Sequence, residues 1–220
     1  MNPYFDTLNE DEKKKFETYY EELIKVNENM NLTAITEKND VFDKHFFDSI
    51  QIKDYLKGNE SILDVGSGAG FPSLPLKILF PNLKVTIVDS LQKRINFLNE
   101  LVKKLELKDV RLIHSRIEDF KEKESFDLVT ARAVARQNIL NEFCIPFVKI
   151  NGLFIAMKGS NYEEELNESL NGIKELGGTL LEVKPYLLGD HYNNLVVIKK
   201  TSKTKSMYPR KMKDIKQKPL

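Results

Sequence analysis

The chain predicts an α/β fold: a mostly parallel sheet of seven strands with helices on both faces, preceded by a small helical extension. Three observations predict it. From residue 61 onward, short apolar runs alternate with amphipathic helical stretches, the pattern of strand–helix–strand units. The first run, Ile62-Leu-Asp-Val-Gly-Ser-Gly-Ala-Gly-Phe-Pro72, passes straight into a glycine-rich turn and then a helix. The last two runs have no helix between them, which predicts an antiparallel edge.

In order along the chain, Thr7 and Glu10 form a Ser/Thr-x-x-Glu start signal, and Phe16, Tyr20, Leu23 and Ile24 follow at helical spacing. That helix is expected to stop at Asn29-Met-Asn31, because asparagine favours a turn. A second helix is expected over 40–56, with Phe42, Phe46, Ile50 and Ile52 among its apolar residues. Strands are expected at 61–66, 84–89, 110–114, 126–130, 152–157, 179–183 and 194–199. Helices are expected at 71–80, 90–107, 134–148 and 162–176, the last closed by Gly177-Gly178. Pro72 is tolerated in a first helical turn, where its missing N–H would be unpaired anyway. The chain thus divides into a helical extension (1–60), a ligand-binding α/β domain (61–200) and a tail (201–220).

Its 220 residues, 41% hydrophobic and 30% charged, suit a globular domain with a sizeable core. No apolar run reaches the roughly 18 residues of a membrane helix, and the N-terminus lacks the pattern of a signal peptide. A cytoplasmic monomer without membrane attachment is expected. The single Cys144 excludes an internal disulfide, and its apolar neighbours make it an unpromising nucleophile. His45, His114 and His191 have no metal-ligand spacing, so no metal is expected. The net charge of +1 conceals an asymmetry. Residues 199–220 hold nine Lys or Arg against Asp214 alone, leaving 25 basic and 32 acidic residues in 1–198. Such a tail is either a solvated charged arm or a contact for a polyanion.

The glycines at 66, 68 and 70 keep a tight turn but depart from Gly-x-Gly-x-x-Gly, since Phe71 stands where the third glycine belongs. Asp64 lies two residues before Gly66, and a carboxylate there suits an ammonium or sulfonium ligand better than phosphates. S-adenosylmethionine is the obvious candidate. In such sheets ligands bind at the carboxyl ends of the strands, which directs attention to the loops there. Asp89, 23 residues beyond Gly66 and followed by Ser90 and Leu91, either accepts from ribose hydroxyls or caps the next helix. Ile117 and Glu118 can flank an adenine and bond its amine, or Glu118 can be a surface carboxylate. Arg132, directly after an apolar strand, is costly without a partner. Arg136 follows it. Lys158 meets a phosphate or is a solvated strand end. In the extension, His45 shares a helix face with Asp48 or Ser49, and Asn31-Leu-Thr33 follows the first helix; a hydrogen-bonded structural histidine is the competing reading.

The absences narrow the reaction. No Asn/Asp-Pro-Pro-Tyr/Phe element follows the fourth strand, which disfavours methylation of an exocyclic base amine. An acceptor with its own free lone pair remains, and guanine N7 is one. It needs alignment rather than a general base. A small-molecule or protein acceptor, or a silent RNA- or nucleotide-binding module, stays open on these grounds.

The ordered set Asn31-Leu-Thr33, His45-Phe-Phe-Asp-Ser49, Leu63-Asp-Val-Gly-Ser-Gly-Ala-Gly-Phe-Pro72, Asp89-Ser-Leu-Gln-Lys-Arg94, Thr130-Ala-Arg-Ala-Val-Ala135, Met157-Lys-Gly159 and Tyr208-Pro-Arg-Lys211 resembles the RsmG (GidB) family of bacterial 16S ribosomal RNA guanine-N7 methyltransferases. The resemblance spans nearly the whole chain; Ser73 stands where the family often has Gly. It implies a Rossmann-like class I methyltransferase domain using S-adenosylmethionine. Asp64, Gly66, Gly68, Phe71, Asp89, Ser90, Leu91, Ile117, Glu118 and Arg132 would be the cofactor contacts. The implied partner is 16S rRNA or the small ribosomal subunit, met by Asn31, Thr33, His45, Arg136, Arg210 and Lys211. Arg132 and Lys158 are the candidates for holding cofactor and RNA during the reaction.

Overall fold

The computed structural model describes residues 2–220, and seven strands form one sheet in the order β3-β2-β1-β4-β5-β7-β6. They are β1 (Ser61–Val65), β2 (Lys84–Asp89), β3 (Val110–His114), β4 (Phe126–Arg132), β5 (Val148–Lys158), β6 (Gly178–Leu188) and β7 (His191–Lys200). The first five pair in parallel, while β7 lies antiparallel between β5 and β6. The strand order reverses between β1 and β4, and the register brings Asp64 opposite Thr130, Asp89 opposite His114, and Arg132 opposite Met157. The charged ends of these strands therefore collect at one edge.

Alternation along each strand serves two cores. Ile62, Leu128, Ile155 and Val197 face one side with α1 (Glu10–Met30), α3 (Ser73–Leu79) and α4 (Gln92–Lys104). Leu63, Val129, Phe154 and Val196 face the other with α5 (Gln137–Cys144) and α6 (Glu163–Glu175). The extension does not form a core of its own: Phe16, Tyr19, Leu23, Phe42 and Phe46 are buried in the same cluster as Ile62 and Leu74.

Several sequence expectations are corrected. The start of α1 is a capping box between Asn9 and Glu12, each side chain bonding the other's backbone N–H at 2.9–3.0 Å. Thr7 instead ends a short 3-10 turn, Pro3–Thr7, with its hydroxyl donating to Tyr4 O. The expected helix over 40–56 is three pieces: α2 (Lys38–Val41), a π-helical turn Phe42–Phe47 and a 3-10 turn Ile50–Tyr55. Pro72 stands at the N-cap of α3, outside its first turn. Strands β6 and β7 extend beyond 179–183 and 194–199 and pair from Gly178 opposite Lys200 to Leu188 opposite His191; β6 accommodates Pro185 because it is the edge strand.

The tail is neither free nor extended. Tyr208 and Ile215 are buried in the second core, and a short α7 (Met212–Gln217) ends the fold, with Leu220 against Gly172. Lys123 donates to the Ser206 and Tyr208 carbonyls. No helix among the described residues is long and apolar enough to cross a membrane.

Candidate active site

After β1 the chain turns sharply: the Gly66 N–H donates to Val88 O at 2.9 Å, and the Gly70 N–H to Ser67 O at 3.0 Å. Gly68 has φ +62°, and an added Cβ there meets nothing within 4 Å, so its backbone is open to approach. Gly70 serves packing instead. Its φ is +104°, and a Cβ would lie 2.6 Å from Tyr19 Oη, the hydroxyl that donates to Ala69 O.

Asp64 lies beneath this turn, fully buried. Its Oδ2 accepts from the Ser73 N–H at 3.1 Å, but Oδ1 has no partner, and neither does the nearby Ser67 Oγ. Burial pushes the Asp64 carboxyl up to about 7, against the opposing pull of Ser73 and of the Arg132 charge. A buried carboxylate with an unmatched oxygen is costly alone and is relieved by a cation.

Beside the turn, a cleft is lined by Val65, Gly66, Val88, Ser90, Ser115, Arg116, Ile117, Glu118, Val134, Phe143 and Met212. Ile117 is buried, and the Glu118 side chain is only 5% exposed, 3.9 Å from Arg116, so it is no free surface carboxylate. Asp89 is buried as well; its Oδ1 accepts from the Leu91 N–H at 2.9 Å and its Oδ2 pairs with Arg94 at 3.3 Å. Asp89 does not cap α4, whose N-cap is Leu91 without a side-chain bond; it closes a local turn onto the Leu91 N–H, and each of its oxygens retains a further lone pair. Leu91 stands exposed at the edge.

A second cleft opens across the loop after β4, lined by Asp48, Arg132, Ala133, Ala135, Met157, Lys158, Gly159, Tyr186 and Asn193. One loop partitions the two clefts, with Val134 facing the first and Ala133 and Ala135 the second. Arg132 has the partner its position demands: Nη1 donates to Asp48 Oδ2 at 2.8 Å, and its guanidinium lies 4.7 Å from the Phe71 ring centroid. Asp48 Oδ1 in turn accepts from Tyr186 Oη at 2.6 Å and Asn193 Nδ2 at 3.3 Å. Lys158 donates to Glu165 Oε2 at 2.7 Å and Ala135 O at 3.1 Å.

The Phe71 side chain faces inward beneath Arg132. Its ring is buried and stacked against Tyr19 at 5.4 Å and His45 at 4.8 Å, where it mounts the extension on the sheet. His45 is similarly engaged. Arg132 approaches Nδ1 at 3.4 Å, which makes Nδ1 the acceptor and leaves Nε2–H to donate to Thr33 Oγ1 at 2.7 Å. Burial, with the Arg132 charge, lowers its pKa to about 4. Thr33 and His45 brace the site rather than reach outward, which is the structural-histidine reading of the sequence. Asn31 caps α1 in the left-handed conformation and is exposed. Arg136 pairs with Glu168 at the surface.

Arg210, expected among the RNA contacts, is engaged within the fold. Its Nε and Nη2 donate to the two Glu142 oxygens at 2.8 and 2.6 Å, and its backbone N–H adds a third bond at 2.8 Å. Glu142 is fully buried, so withdrawing Arg210 would strand its charge. Lys211 pairs with Asp119. Sequence reasoning did not single out Tyr186, Asn193, Phe143 or Met212, and Val134 entered only as part of the run 130–135; Tyr186 and Asn193 lie outside the strands expected at 179–183 and 194–199.

The residues fit a nucleoside with a cationic substituent. The first cleft offers apolar walls and the Glu118 carboxylate, Asp89 lies beside Ser90, and the unmatched Asp64 oxygen lies under the glycine turn. A family model described as GidB, rRNA small subunit methyltransferase G, matches residues 12–192. The chain belongs to that family. It is 55% identical over 206 residues to ribosomal RNA small subunit methyltransferase G of Bacillus cytotoxicus, covering 90% of this chain and 86% of the relative. It is 51% identical over 216 residues to the protein of the same name from Pediococcus pentosaceus, covering 93% and 88%. The fold is shared with a SAM-dependent methyltransferase from Aquifex aeolicus (TM-score 0.57, 20% identity, 74% of this chain and 93% of the other). M. jannaschii TYW2, crystallised in complex with AdoMet, is similar too (TM-score 0.58, 18% identity, 70% and 74%).

Proposed function

We propose that this rRNA small subunit methyltransferase G family member transfers a methyl group from S-adenosylmethionine to N7 of a guanine in a loop of 16S ribosomal RNA. The observation that carries this reading is the pair of clefts divided by the single loop after β4, one shaped for a nucleoside and one lined by Arg132 and Lys158. When bound, S-adenosylmethionine supplies an electrophilic methyl group on its sulfonium sulfur. Gly66, Ser90, Ile117 and Glu118 would hold its adenine end, and Asp89 would accept from its ribose hydroxyls with the lone pairs that its bonds to Leu91 and Arg94 leave free. The turn at Gly68, with Asp64 beneath it, would receive the ammonium end, and exposed Leu91 would flank the ribose.

In the second cleft Arg132 is fixed by Asp48 and Phe71 before any substrate arrives, so little ordering remains when a base enters. Guanine N7 owns an in-plane lone pair, so no residue has to remove a proton from it. The neutral, engaged His45 matches that requirement. Catalysis then consists of holding the base in line. A loop suits this geometry, because the deep major groove of an RNA helix hides N7. Lys158 and Arg136 are the cations placed to exchange their carboxylate partners, Glu165 and Glu168, for phosphates, with Asn31 at the rim of the extension.

The test is incubation with labelled cofactor and small ribosomal subunits or naked 16S rRNA, followed by mapping of 7-methylguanosine by borohydride reduction and aniline cleavage. RNA-dependent label at one cleavable guanine is expected. Label on another base atom, or none on RNA, overturns the reading.

A further inference from the structure

Met212 stands in the first cleft although it belongs to the basic tail. The way the tail is fastened explains this. Lys211 pairs with Asp119, the residue after Glu118, on the 3-10 turn Ile117–Asp119. Arg210 makes its bidentate pair with Glu142, the residue before Phe143 on α5. Each of the two adjacent cations is thus tied to the neighbour of a cleft-lining residue, and Met212 follows them directly. Ile215, one helical turn further, is fully buried and anchors α7.

We propose that the C-terminal segment is a wall of the cofactor cleft, with Met212 packing against the adenine end of the ligand and the two ion pairs holding it there. This rests on the assignment of that cleft to S-adenosylmethionine. Met212 is half-buried and its thioether is soft and adaptable, which suits contact with a flat aromatic base. Fastening the wall consumes part of the segment's positive charge, since Arg210 and Lys211 face Glu142 and Asp119, and Lys205 faces Glu175. A tail serving RNA alone would not need its apolar residue in the nucleoside cleft.

The experiment is calorimetric titration of the full-length protein with S-adenosylhomocysteine, comparing wild type, Met212→Ala and Lys213→Ala. Lys213 is exposed on the same short helix. The expected result is about tenfold weaker binding for Met212→Ala, equivalent to about 1.4 kcal/mol, and unchanged binding for Lys213→Ala. Wild-type binding with unchanged affinity in Met212→Ala overturns the wall and leaves the cofactor assignment standing. No binding by wild type overturns the assignment itself. Should Met212→Ala fold poorly, tryptic cleavage of wild type at 211–218 provides the readout. Saturating ligand is expected to slow that cleavage at least severalfold, and an unchanged rate overturns the proposal.

Discussion

Asp64 shows what one buried side chain costs and provides. It holds the first amide of α3 and leaves one oxygen unmatched, and burial raises its pKa from 3.8 to about 7. An acid raised in this way keeps, when folded, a proton that the unfolded chain has released. Its contribution to stability therefore falls as pH rises from about 4 to about 7, and stays low above. Asp64→Asn keeps the bond to Ser73 and removes the charge. It is expected to be more stable than wild type at pH 8, by a few kcal/mol at most (~1.4 kcal/mol per pKa unit), with the gap closing towards pH 4, while binding S-adenosylhomocysteine more weakly. Urea unfolding at both pH values checks this; a variant no more stable than wild type at pH 8 refutes it.

Among the elements, α1 and the two long strands β6 and β7 are the most instructive. Helix α1 is started by Asn9 and Glu12, and its Tyr19 fixes the glycine turn from below. Asn9→Ala is expected to lower stability by about 1 kcal/mol, and Thr7→Ala by much less, since Thr7 caps nothing in α1. Equal losses in thermal or urea melts would contradict the assignment. The local pattern at 7–12 contains two overlapping start signals; in the fold Asn9 caps α1, while Phe5 and Leu8 just before it are buried in the first core. Likewise β6 continues through Pro185, with β7 paired alongside, because the sheet places β6 at its edge. That extension delivers Tyr186 and Asn193 to Asp48 and so completes the seat of Arg132.

Across the molecule, the extension and the tail are parts of one fold. Each shares a core with the sheet, on opposite faces. Breaking the Arg210–Glu142 pair leaves a fully buried carboxylate, so Arg210→Ala is expected to cost about 3–5 kcal/mol. Replacing both partners, as Arg210→Met with Glu142→Leu, is expected to recover most of that loss in urea denaturation. No recovery would show that the pair does more than neutralise itself. Removal of 203–220 is consequently expected to lower stability and to strip Met212 from the first cleft, so loss of RNA methylation in such a truncation would not by itself locate an RNA contact.

Local sequence was enough to set the seven strands, the parallel order with its antiparallel end, the glycine turn and the strand-end positions of Asp64, Asp89, Glu118, Arg132 and Lys158. These follow from periodicity and turn chemistry, which act over a few residues. Which charges face a ligand and which face one another was settled only by the packed fold. Phe71 turned inward, His45 and Thr33 closed on each other, and Arg210 paired with Glu142, because each pairing joins residues separated along the chain. A buried charge is defined by its partner, and partners are chosen by the fold.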